Sequence, residues 1–371
     1  MIRESSIKRF PTFSVDEILN PFLGDLRQDS VIPKYKKISI FYPCRLDAMA
    51  INPAAVAYNE KLSFTPGEVT LSINNFIKTT VQIIHPNGGN VVLSDRTRRK
   101  ALAKHAYYLI AKALGVTPSV YIDVEDKGIP KHCGFGSSSS IMTSVAACLN
   151  ELYDKPIKNS DLIQYLASNH GEEVKNTETK LKSVQSIGGG ACSGLLPYGL
   201  IIIAGHATPI AKLKIPNAKV VIGIPKDFKQ QSADFLMKLE EDNLWKFVKT
   251  GEKYKDTIAY RLLHQAIPSL VHKDISALSD VVFDYRFNMG SIQNCSFVYP
   301  KMVQMAHKLR ELYEKKLCRM LSLSSVGPAF FAITSTKDEL LVCKNKMESL
   351  SMNTYVYSIY NSTYKVIEKK K

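Results

Sequence analysis

Residues 130–148 read PKHCGFGSSSSIMTSVAAC and join a glycine-containing turn to an apolar helix. Glycine permits close approach of the backbone to a neighbouring group, and free N–H groups meet the positive end of the helix dipole at such a junction. The stretch therefore predicts an anion site that binds phosphate. It lacks the lysine of a Walker A loop and the spacing of a dinucleotide-binding GxGxxG loop. A plain loop with a helix cap is the alternative. The predicted donor-binding residues are Gly134, Gly136, Ser137, Ser138, Ser139 and Ser140.

Two further glycine- and serine-containing clusters occur downstream. Residues 186–199 read SIGGGACSGLLPYG, and three successive glycines predict a bend or a close contact, because they destabilise the interior of a helix or strand. Residues 322–335 read SLSSVGPAFFAITS and predict two strands joined by a turn that can face a ligand. A structural turn and an ordinary hairpin are the respective alternatives. The predicted substrate-binding residues here are Gly189, Gly190, Ser193, Ser324, Ser325 and Gly327.

The composition is that of an ordinary globular protein. The 371 residues are 45% hydrophobic and 22% charged, which suffices for two domains or one large domain. No apolar run reaches the roughly 20 residues that span a bilayer, and the first residues lack the apolar segment of a secretory signal. The seven cysteines are scattered without a CxxC pair, which is typical of reduced structural thiols rather than a zinc site. We therefore expect a cytoplasmic protein without membrane contact.

The formal net charge of +15 favours anionic partners. A solvated lysine surface is the simplest explanation, and attraction of a polyanionic small molecule comes next. Binding of nucleic acid is not predicted, because the lysines are spread along the chain instead of forming one stripe. The basic tail KVIEKKK is expected to be a frayed, solvated end.

Strand and helix patterns mix throughout the chain, which predicts an α+β fold. The predicted elements are a strand at 37–43, a hairpin at 67–86, a helix at 95–115 with Asp95 near its start and Gly115 as its stop, a strand at 119–126, a helix from the serine run, a helix capped by Ser160, buried strands at 199–205 and 218–225, mainly helix at 226–317, strands at 319–325 and 329–335, a helix near 337–350 and a strand at 354–360. The predicted division is an N-terminal extension at 1–36, a first domain at 37–215 and a second domain at 216–371.

The order of these motifs resembles the GHMP kinase superfamily. Pro43-Cys44-Arg45 lies near the first strand, PxxxGxGSS precedes a helix, and a glycine-containing turn comes late. In detail, SSVGP is similar to the Ser-Ser-Trp-Gly-Pro motif of beta-ribofuranosylaminobenzene 5'-phosphate synthase and related C-ribosyl synthases, with Val326 in place of the tryptophan. The segment GGGACSGLLPYGLIIIAGH also resembles the centre of that family, and Gln293 lies where a substrate-binding family glutamine is expected.

The resemblance implies a two-domain GHMP-kinase-like fold of mixed sheets with helices packed on them. It further implies a homodimeric, Mg²⁺-dependent enzyme that joins the ribosyl 5-phosphate of phosphoribosyl pyrophosphate to a ring carbon of an aromatic or heteroaromatic acid, with release of CO₂ and pyrophosphate. The acceptor would resemble 4-hydroxybenzoate or 4-aminobenzoate. An ATP-dependent small-molecule kinase is the alternative, and a non-catalytic ligand-binding or nucleic-acid-binding relative is a third hypothesis.

The chain departs from the family pattern at several positions. Asn52 replaces an acid of the first motif, which leaves Asp47 as its candidate substitute, and Ser139 and Ser140 replace a Thr-Gln pair. The glycine-rich middle segment lacks the family arginine, and it also lacks the aspartate that many kinases of this superfamily use on the accepting hydroxyl. That absence favours the synthase over the kinase.

Four residues are the candidate catalytic groups. Arg45 offers a fork that matches a carboxylate or phosphate, with a surface ion pair as the alternative. His132 and His206 border two of the glycine-containing segments and could bind pyrophosphate or the acceptor carboxylate, although a hydrogen-bonded structural histidine is the simpler interpretation. The full set is Arg45, Asp47, His132 and His206, and the metal ligands are not predicted.

Overall fold

The computed structural model describes residues 11–22, 24, 31–55, 67–126, 128, 133–174, 177–183 and 188–371. Its strands are β1 Thr12–Ser14, β2 Lys37–Ala50, β3 Glu68–His85, β4 Val91–Leu93, β5 Ser119–Glu125, β6 Gly171–Glu173, β7 Lys180–Ser183, β8 Leu200–Ala204, β9 Thr208–Leu213, β10 Lys219–Pro225, β11 Met320–Leu323, β12 Phe330–Thr334, β13 Met352–Ser358 and β14 Lys365–Lys370. Its α-helices are α1 Lys100–Leu114, α2 Ser137–Leu152, α3 Asn159–Ser168, α4 Gly188–Leu195, α5 Ala233–Arg261, α6 Ile267–Val271, α7 Ser276–Phe283, α8 Ser291–Asn294, α9 Met302–Leu309, α10 Glu311–Glu314 and α11 Lys337–Ser349. Two π-helical turns, Leu262–Ala266 and Asp284–Asn288, and two 3-10 turns, Gly205–Ala207 and Cys295–Phe297, complete the set.

Three sheets organise the described chain into the α+β fold that the sequence predicts. The largest has the order β14-β2-β3-β5-β4, with β8 on the first half of β3 and β9 beyond β8. A four-stranded antiparallel sheet has the order β11-β12-β10-β13, and a small sheet has the order β1-β7-β6. Helices α1 and α2 pack against each other, and α2 packs across β2 and β3. The main apolar core lies between these helices and the largest sheet, and a second core surrounds β11 and β12.

Strand β3 is one continuous strand, so the predicted hairpin is wrong. Asn74 and Asn75 lie at the point where the register with β2 shifts. Pro43 pairs with Phe76, but Cys44 pairs with Ile73. The side-chain oxygen of Asn74 accepts a hydrogen bond from the Ser358 backbone at 2.8 Å. The two asparagines therefore form an irregularity within the sheet rather than a chain reversal.

Two predicted helix starts are corrected. Helix α1 begins at Lys100 instead of near Asp95, because Arg96 and Arg98 bind Asp123 and Asp126 and hold the preceding segment along β5. Its predicted end is confirmed, since Gly115 adopts the left-handed conformation with φ of 64°.

The start of α3 also differs from the prediction. This helix has Lys158 rather than Ser160 at its N-cap. The Asn159 side chain donates to the Leu195 carbonyl at 2.7 Å and so draws the first residue of the helix against α4.

The basic tail is a strand and not a frayed end. β14 pairs antiparallel with β2, so the last strand of the chain belongs to the largest sheet. Lys369 and Tyr364 reach the buried carboxylate of Glu151 on α2 at 2.9 and 2.7 Å. The sequence pattern missed this strand because its stabilising partners lie more than 200 residues away.

The predicted domain division stays a prediction. Its boundary at 215/216 falls in the connection between β9 and β10. β14 belongs to the predicted second domain, but it pairs with β2 of the predicted first domain. Within the proposed N-terminal extension, β1 pairs with β7. None of the described helices is both long enough and apolar enough to cross a bilayer.

Candidate active site

The glycine loop at 133–136 leads into α2 as the sequence predicts. Gly136 is the left-handed N-cap of α2 with φ of 62°, and Gly134 has φ of 90°. A Cβ atom on Gly136 would lie 2.7 Å from Cγ of Arg45, and one on Gly134 would lie 2.5 Å from the Ser324 carbonyl oxygen. Only glycine therefore lets this loop approach both β2 and the turn between β11 and β12.

The four consecutive serines at the start of α2, Ser137 to Ser140, have different roles. Ser139 donates its hydroxyl to the Gly136 carbonyl at 2.8 Å, and Ser140 donates to the Pro43 carbonyl at 3.3 Å. These two hydroxyls hold the loop and the helix in place. Ser138 instead donates to Oε2 of Glu172 at 2.6 Å, and Ser137 is 7% exposed at the first position of the helix. Ser139 and Ser140 therefore have a structural role, and donor binding by the serine run stays a prediction.

The turn between β11 and β12 is fastened to the glycine loop. The Ser324 hydroxyl donates to the Gly134 carbonyl at 2.6 Å and accepts from the Asp47 backbone N–H at 3.1 Å. The Ser325 N–H donates to the Asp47 carbonyl at 3.0 Å. The Gly327–Pro328 peptide is cis. Three motifs that are far apart in the sequence therefore meet at one place.

Arg45 is a buried guanidinium with open hydrogen-bonding capacity. It is 5% exposed, and its closest acidic partner is Asp47, with 3.9 Å between Nη1 and Oδ2. Arg45 Nε, Arg45 Nη1 and Asp47 Oδ1 are buried and make no hydrogen bond within the described part of the chain. Leaving such donors unpaired in a protein interior is costly. The arrangement is that of a group positioned to bind an anion beside the glycine loop.

The three successive glycines lie in helix α4, so of the two predicted alternatives the structure shows close contact rather than a bend. A Cβ atom would lie 1.9 Å from Oγ of Ser139 if placed on Gly190, and 2.9 Å from the Glu68 carboxylate if placed on Gly189. We call α4 the glycine helix below. Ser193, a predicted substrate-binding residue, is fully buried and donates its hydroxyl to the Gly190 carbonyl at 3.0 Å.

A buried carboxylate, that of Glu68, contacts the glycine helix. The carboxylate lies at the N-terminal end of the glycine helix, where Oε1 accepts from the Gly189 N–H at 2.5 Å. Burial raises the pKa of Glu68 to about 7; the Asp47 carboxylate also raises it, whereas the Arg45 guanidinium and the Gly189 N–H oppose the shift. Sequence analysis missed this residue, because nothing local to the GEVTL stretch indicates what it faces.

Glu172 is the second acid that sequence analysis missed. It lies on β6, accepts the Ser138 hydroxyl and binds the buried guanidinium of Arg99. The signal that could have revealed it is the acidic pair in HGEEV directly after a helix. Neighbouring His170 is buried, which lowers its pKa to about 3 and keeps it neutral.

The Ser138–Glu172 pair fits Mg²⁺. A hydroxyl and a carboxylate are hard oxygen ligands, and Mg²⁺ is usually held by one or two carboxylates together with substrate phosphates and water. Within the described residues no group of three or more His, Cys, Asp or Glu side chains could hold a metal. The pair therefore suits a metal that is shared with a phosphorylated ligand rather than one enclosed by protein.

Arg286 braces the site from the second half of the chain and was also missed. It is 2% exposed, and its guanidinium donates to the carbonyls of Ala48, Ser325 and Asp47 at 2.7, 3.0 and 3.3 Å. It thus joins β2 to the turn after β11. Because its donors are occupied, Arg286 positions the site, whereas Arg45 remains able to bind a ligand.

Three predicted site residues do not join this cluster. Gln293 is exposed on the short helix α8. His206 is exposed on the turn Gly205–Ala207, although the neighbouring Ala207 packs near Gly188 at the start of the glycine helix. His132 lies outside the described residues. Their predicted roles stay predictions.

A separate groove of about 600 Å³ lies on the outer face of the largest sheet. Its charged side chains form ion pairs; Lys37 binds Glu368 at 2.8 Å, Arg96 binds Asp123, and Lys78 binds Glu125 at 3.2 Å. The groove therefore lacks the open donors that distinguish the cluster around Arg45.

All seven cysteines are free and buried, as the sequence predicts. Burial raises the pKa of the Cys133 thiol to about 12, and Cys192 is fully buried on the glycine helix with its pKa raised by the same cause. Neither thiol is a nucleophile at neutral pH. Both act as small packing residues beside the glycines.

Comparison with known proteins agrees with this architecture. Residues 101–180 match the family model of the GHMP kinases N terminal domain. No match is found among curated proteins. The chain resembles solved structures across almost its whole length. Mevalonate diphosphate decarboxylase from Staphylococcus aureus is 14% identical with a TM-score of 0.62, covering 90% of this chain and 98% of that one.

Two kinases are similarly related in structure. Homoserine kinase from Cytophaga hutchinsonii is 13% identical, covering 91% of this chain and 99% of that one with a TM-score of 0.56. L. major mevalonate kinase is 12% identical, covering 90% and 99% with a TM-score of 0.55. The chain therefore has the GHMP-kinase-like fold.

Proposed function

We propose that this protein is a Mg²⁺-dependent transferase that binds the diphosphate of a donor at the glycine loop. The open donors of buried Arg45 carry the proposal, because they lie against Gly136 at the N-terminal end of a 16-residue helix. A guanidinium, a helix N-terminus and a serine hydroxyl on one side of a loop provide the charge and the hydrogen bonds that a polyphosphate needs.

Ser138 and Glu172 are the residues that would hold Mg²⁺. When bound, the ion neutralises charge on a departing diphosphate. Arg99 holds Glu172 in place through a buried ion pair, and the Ser138 hydroxyl is already within 2.6 Å of that carboxylate. The site therefore needs little rearrangement to accept a phosphate-bound metal.

The reaction we propose is decarboxylating transfer of the ribosyl 5-phosphate of phosphoribosyl pyrophosphate to a ring carbon of an aromatic or heteroaromatic acid. Its support is the SSVGP turn, which resembles the synthase motif and is fastened to the glycine loop by Ser324. The fork of Arg45 matches a carboxylate as well as a phosphate. Positive charge that develops on the ribose ring as the diphosphate departs resembles that in glycoside cleavage.

An ATP-dependent small-molecule kinase is the second candidate, and Glu68 favours it. A carboxylate with a pKa of about 7 is suited to accept the proton of a hydroxyl that attacks phosphorus. The structurally similar proteins include homoserine kinase and mevalonate kinase, and one similar structure is a complex with AMPPCP and magnesium. The absence of an acid in the glycine-rich segment thus argues less against a kinase than the sequence suggests.

One assay with two arms separates the candidates. The purified protein is given phosphoribosyl pyrophosphate, MgCl₂ and 4-hydroxybenzoate, 4-aminobenzoate or a panel of heteroaromatic acids, and CO₂ and pyrophosphate are measured. The second arm supplies ATP with homoserine, mevalonate and other small alcohols, and ADP is measured. Release of CO₂ and pyrophosphate in equal amounts supports ribosyl transfer, whereas acceptor-dependent ADP with no CO₂ replaces it with the kinase. Inactivity in both arms contradicts both candidates.

A further inference from the structure

A long helical segment at 233–271 packs one of its sides against the main core. Helix α5, the π-helical turn and α6 follow one another in this segment without a break. Its buried residues near the C-terminal end recur every four residues; they are Ile258, Leu262, Ala266 and Leu270. This spacing remains on one side because a π-helical turn takes more residues than an α-helical turn.

The other side of the segment exposes an apolar stripe. Tyr260, Leu263 and Val271 are 60%, 61% and 74% exposed, and Ile267 is partly buried between them. The Tyr260 ring also packs on the ring of His264, with 4.5 Å between the centroids. Scattered exposed apolar residues are ordinary, but residues spaced three, four and seven apart share one face of a helix. We call Tyr260, Leu263, Ile267 and Val271 the apolar stripe.

Each end of the apolar stripe carries one exposed lysine and one exposed aspartate. Lys253 and Asp256 precede the stripe, and Lys273 and Asp274 follow it. Lys253 and Asp274 lie seven residues before Tyr260 and seven residues after Ile267, so they continue the same face. The charges at the two ends are therefore in line with the apolar residues.

This order of residues is complementary to itself when a second segment runs antiparallel. With a two-fold axis between positions 263 and 264, Tyr260 of each copy meets Ile267 of the other. Lys253 then meets Asp274, and Asp256 comes within two residues of the position opposite Lys273. A parallel arrangement would instead place each charge against its own copy, which is repulsive.

We propose that the apolar stripe is an interface between two copies of this chain, packed antiparallel about a two-fold axis between Leu263 and His264. An isologous contact requires a self-complementary surface, and the stripe with its two charged ends provides one. The proposal is independent of the reaction, because it uses none of the residues at the glycine loop.

The interface is expected to be weak and reversible. Twelve helical residues span about 17 Å, and four apolar side chains over that length cover less than the roughly 800 Å² per partner of a standard interface. The net charge of +15 on each copy also opposes association. We therefore expect a dissociation constant on the order of 10 µM.

The first test is sedimentation velocity of the full chain at concentrations up to about 200 µM. Leu263→Glu should raise the dissociation constant by about tenfold or more, because it places two carboxylates at the centre of an apolar contact. Leu341→Glu is the matched control and should change nothing, since Leu341 is an exposed leucine on α11. Circular dichroism verifies that both variants fold. A wild type that remains monomeric, or Leu263→Glu that dimerises as strongly as the wild type, overturns the proposal.

The second test measures the antiparallel register by cross-linking. All seven native cysteines are buried, so Leu263→Cys and Val271→Cys each add one exposed thiol. In the proposed dimer the two copies of position 263 face each other near the axis, whereas those of position 271 lie about 22 Å apart along it. Glutathione disulfide should therefore convert two Leu263→Cys thiols into an intermolecular disulfide, with release of two glutathione molecules, but leave Val271→Cys uncross-linked. Equal cross-linking of both variants on a non-reducing gel overturns the register.

The third test exchanges the charges at the two ends. Asp256→Lys and Lys273→Glu should each raise the dissociation constant by about threefold or more, because each places like charges together across the interface. The double variant should recover most of the wild-type affinity, since it restores opposite charges with their positions exchanged. Additive weakening in the double variant contradicts the proposed pairing.

Discussion

Two buried arginines at the candidate site differ in how many of their hydrogen-bond donors have a partner within the described structure. The Arg286 guanidinium donates hydrogen bonds to backbone carbonyls of β2 and of the turn after β11. Two nitrogen atoms of Arg45 make no hydrogen bond within the described structure. Unpaired buried donors destabilise the folded state, and a ligand that accepts their hydrogen bonds is expected to stabilise it.

Arg45→Met should therefore abolish anion binding with little change in the stability of the free protein. Removal of two unpaired buried donors is stabilising, but loss of the 3.9 Å ion pair with Asp47 opposes that gain, so the free energy of unfolding in urea titrations should change by no more than about 1 kcal/mol. Arg286→Met is the control and should lower it by about 3–5 kcal/mol, because it leaves buried carbonyl groups unpaired. Similar destabilisation by both variants would show that Arg45 is a structural residue.

Glu68 should make stability depend on pH. Its folded pKa of about 7 lies above the ordinary value of 4.5, so the folded state binds the proton more tightly than the unfolded state. Its contribution is complete below about pH 4.5 and is lost as the pH rises to about 7, which amounts to about 3 kcal/mol. Urea midpoints of Glu68→Gln should accordingly exceed those of the wild type at pH 8 but not at pH 4.5. Parallel pH curves for the two proteins would contradict the assignment.

Glu172→Gln should weaken the proposed Mg²⁺ site. We expect the Mg²⁺ concentration for half-maximal activity, or for half-maximal Mg²⁺-dependent donor binding, to rise by about tenfold or more, because a neutral amide is a poorer ligand than a carboxylate. Glu173→Gln, one residue along β6, is the control; its side chain binds the Ala101 N–H at 3.0 Å instead of Ser138. Equal effects of both variants would assign the metal elsewhere.

The glycine helix shows, at the level of an element, how packing overrides intrinsic preference. Three glycines disfavour a helix, yet each lies where a Cβ atom would meet a neighbouring element. Close approach places the Gly189 N–H against Glu68 and Gly190 against Ser139. The helix is thus a means of bringing backbone to the site, and its stability comes from its surroundings.

Gly190→Ala should lower the free energy of unfolding by about 1–3 kcal/mol, because its Cβ would overlap Ser139. Ser139→Gly should cost about 1 kcal/mol alone but rescue part of the alanine effect, since it removes both overlapping atoms. Chemical denaturation of the two single variants and the double variant measures the coupling. Additive effects would mean that the helix relaxes away from α2.

The whole molecule is held together by the return of its last strand to its first sheet. Glu151 is fully buried on α2 and takes hydrogen bonds from Lys155, Lys369 and Tyr364. Burial by itself would raise the pKa of Glu151, but these three bonds together lower it.

The homodimer remains a prediction, and sedimentation velocity tests it.

Deletion of residues 362–371 should destabilise the protein by about 3–5 kcal/mol, because it removes β14 and leaves the buried Glu151 carboxylate with one of its three partners. Adding Glu151→Gln to the truncated chain should restore part of the loss by removing the buried charge. Thermal and urea unfolding measure both effects. A truncated chain as stable as the wild type would mean that the tail is dispensable to the fold.

The sequence by itself determined the conformation of the glycine loop, most of the secondary structure and the α+β class. Left-handed Gly136, the start of α2 at Ser137 and the left-handed end of α1 at Gly115 depend on backbone conformations that short-range chemistry sets. Only the tertiary structure decided which acids face the loop, which serines are free to meet a ligand and where the tail lies. The positions of Glu68, Glu172 and β14 depend on burial and on partners that are distant in the sequence. A local sequence pattern cannot indicate which distant residues become neighbours on folding.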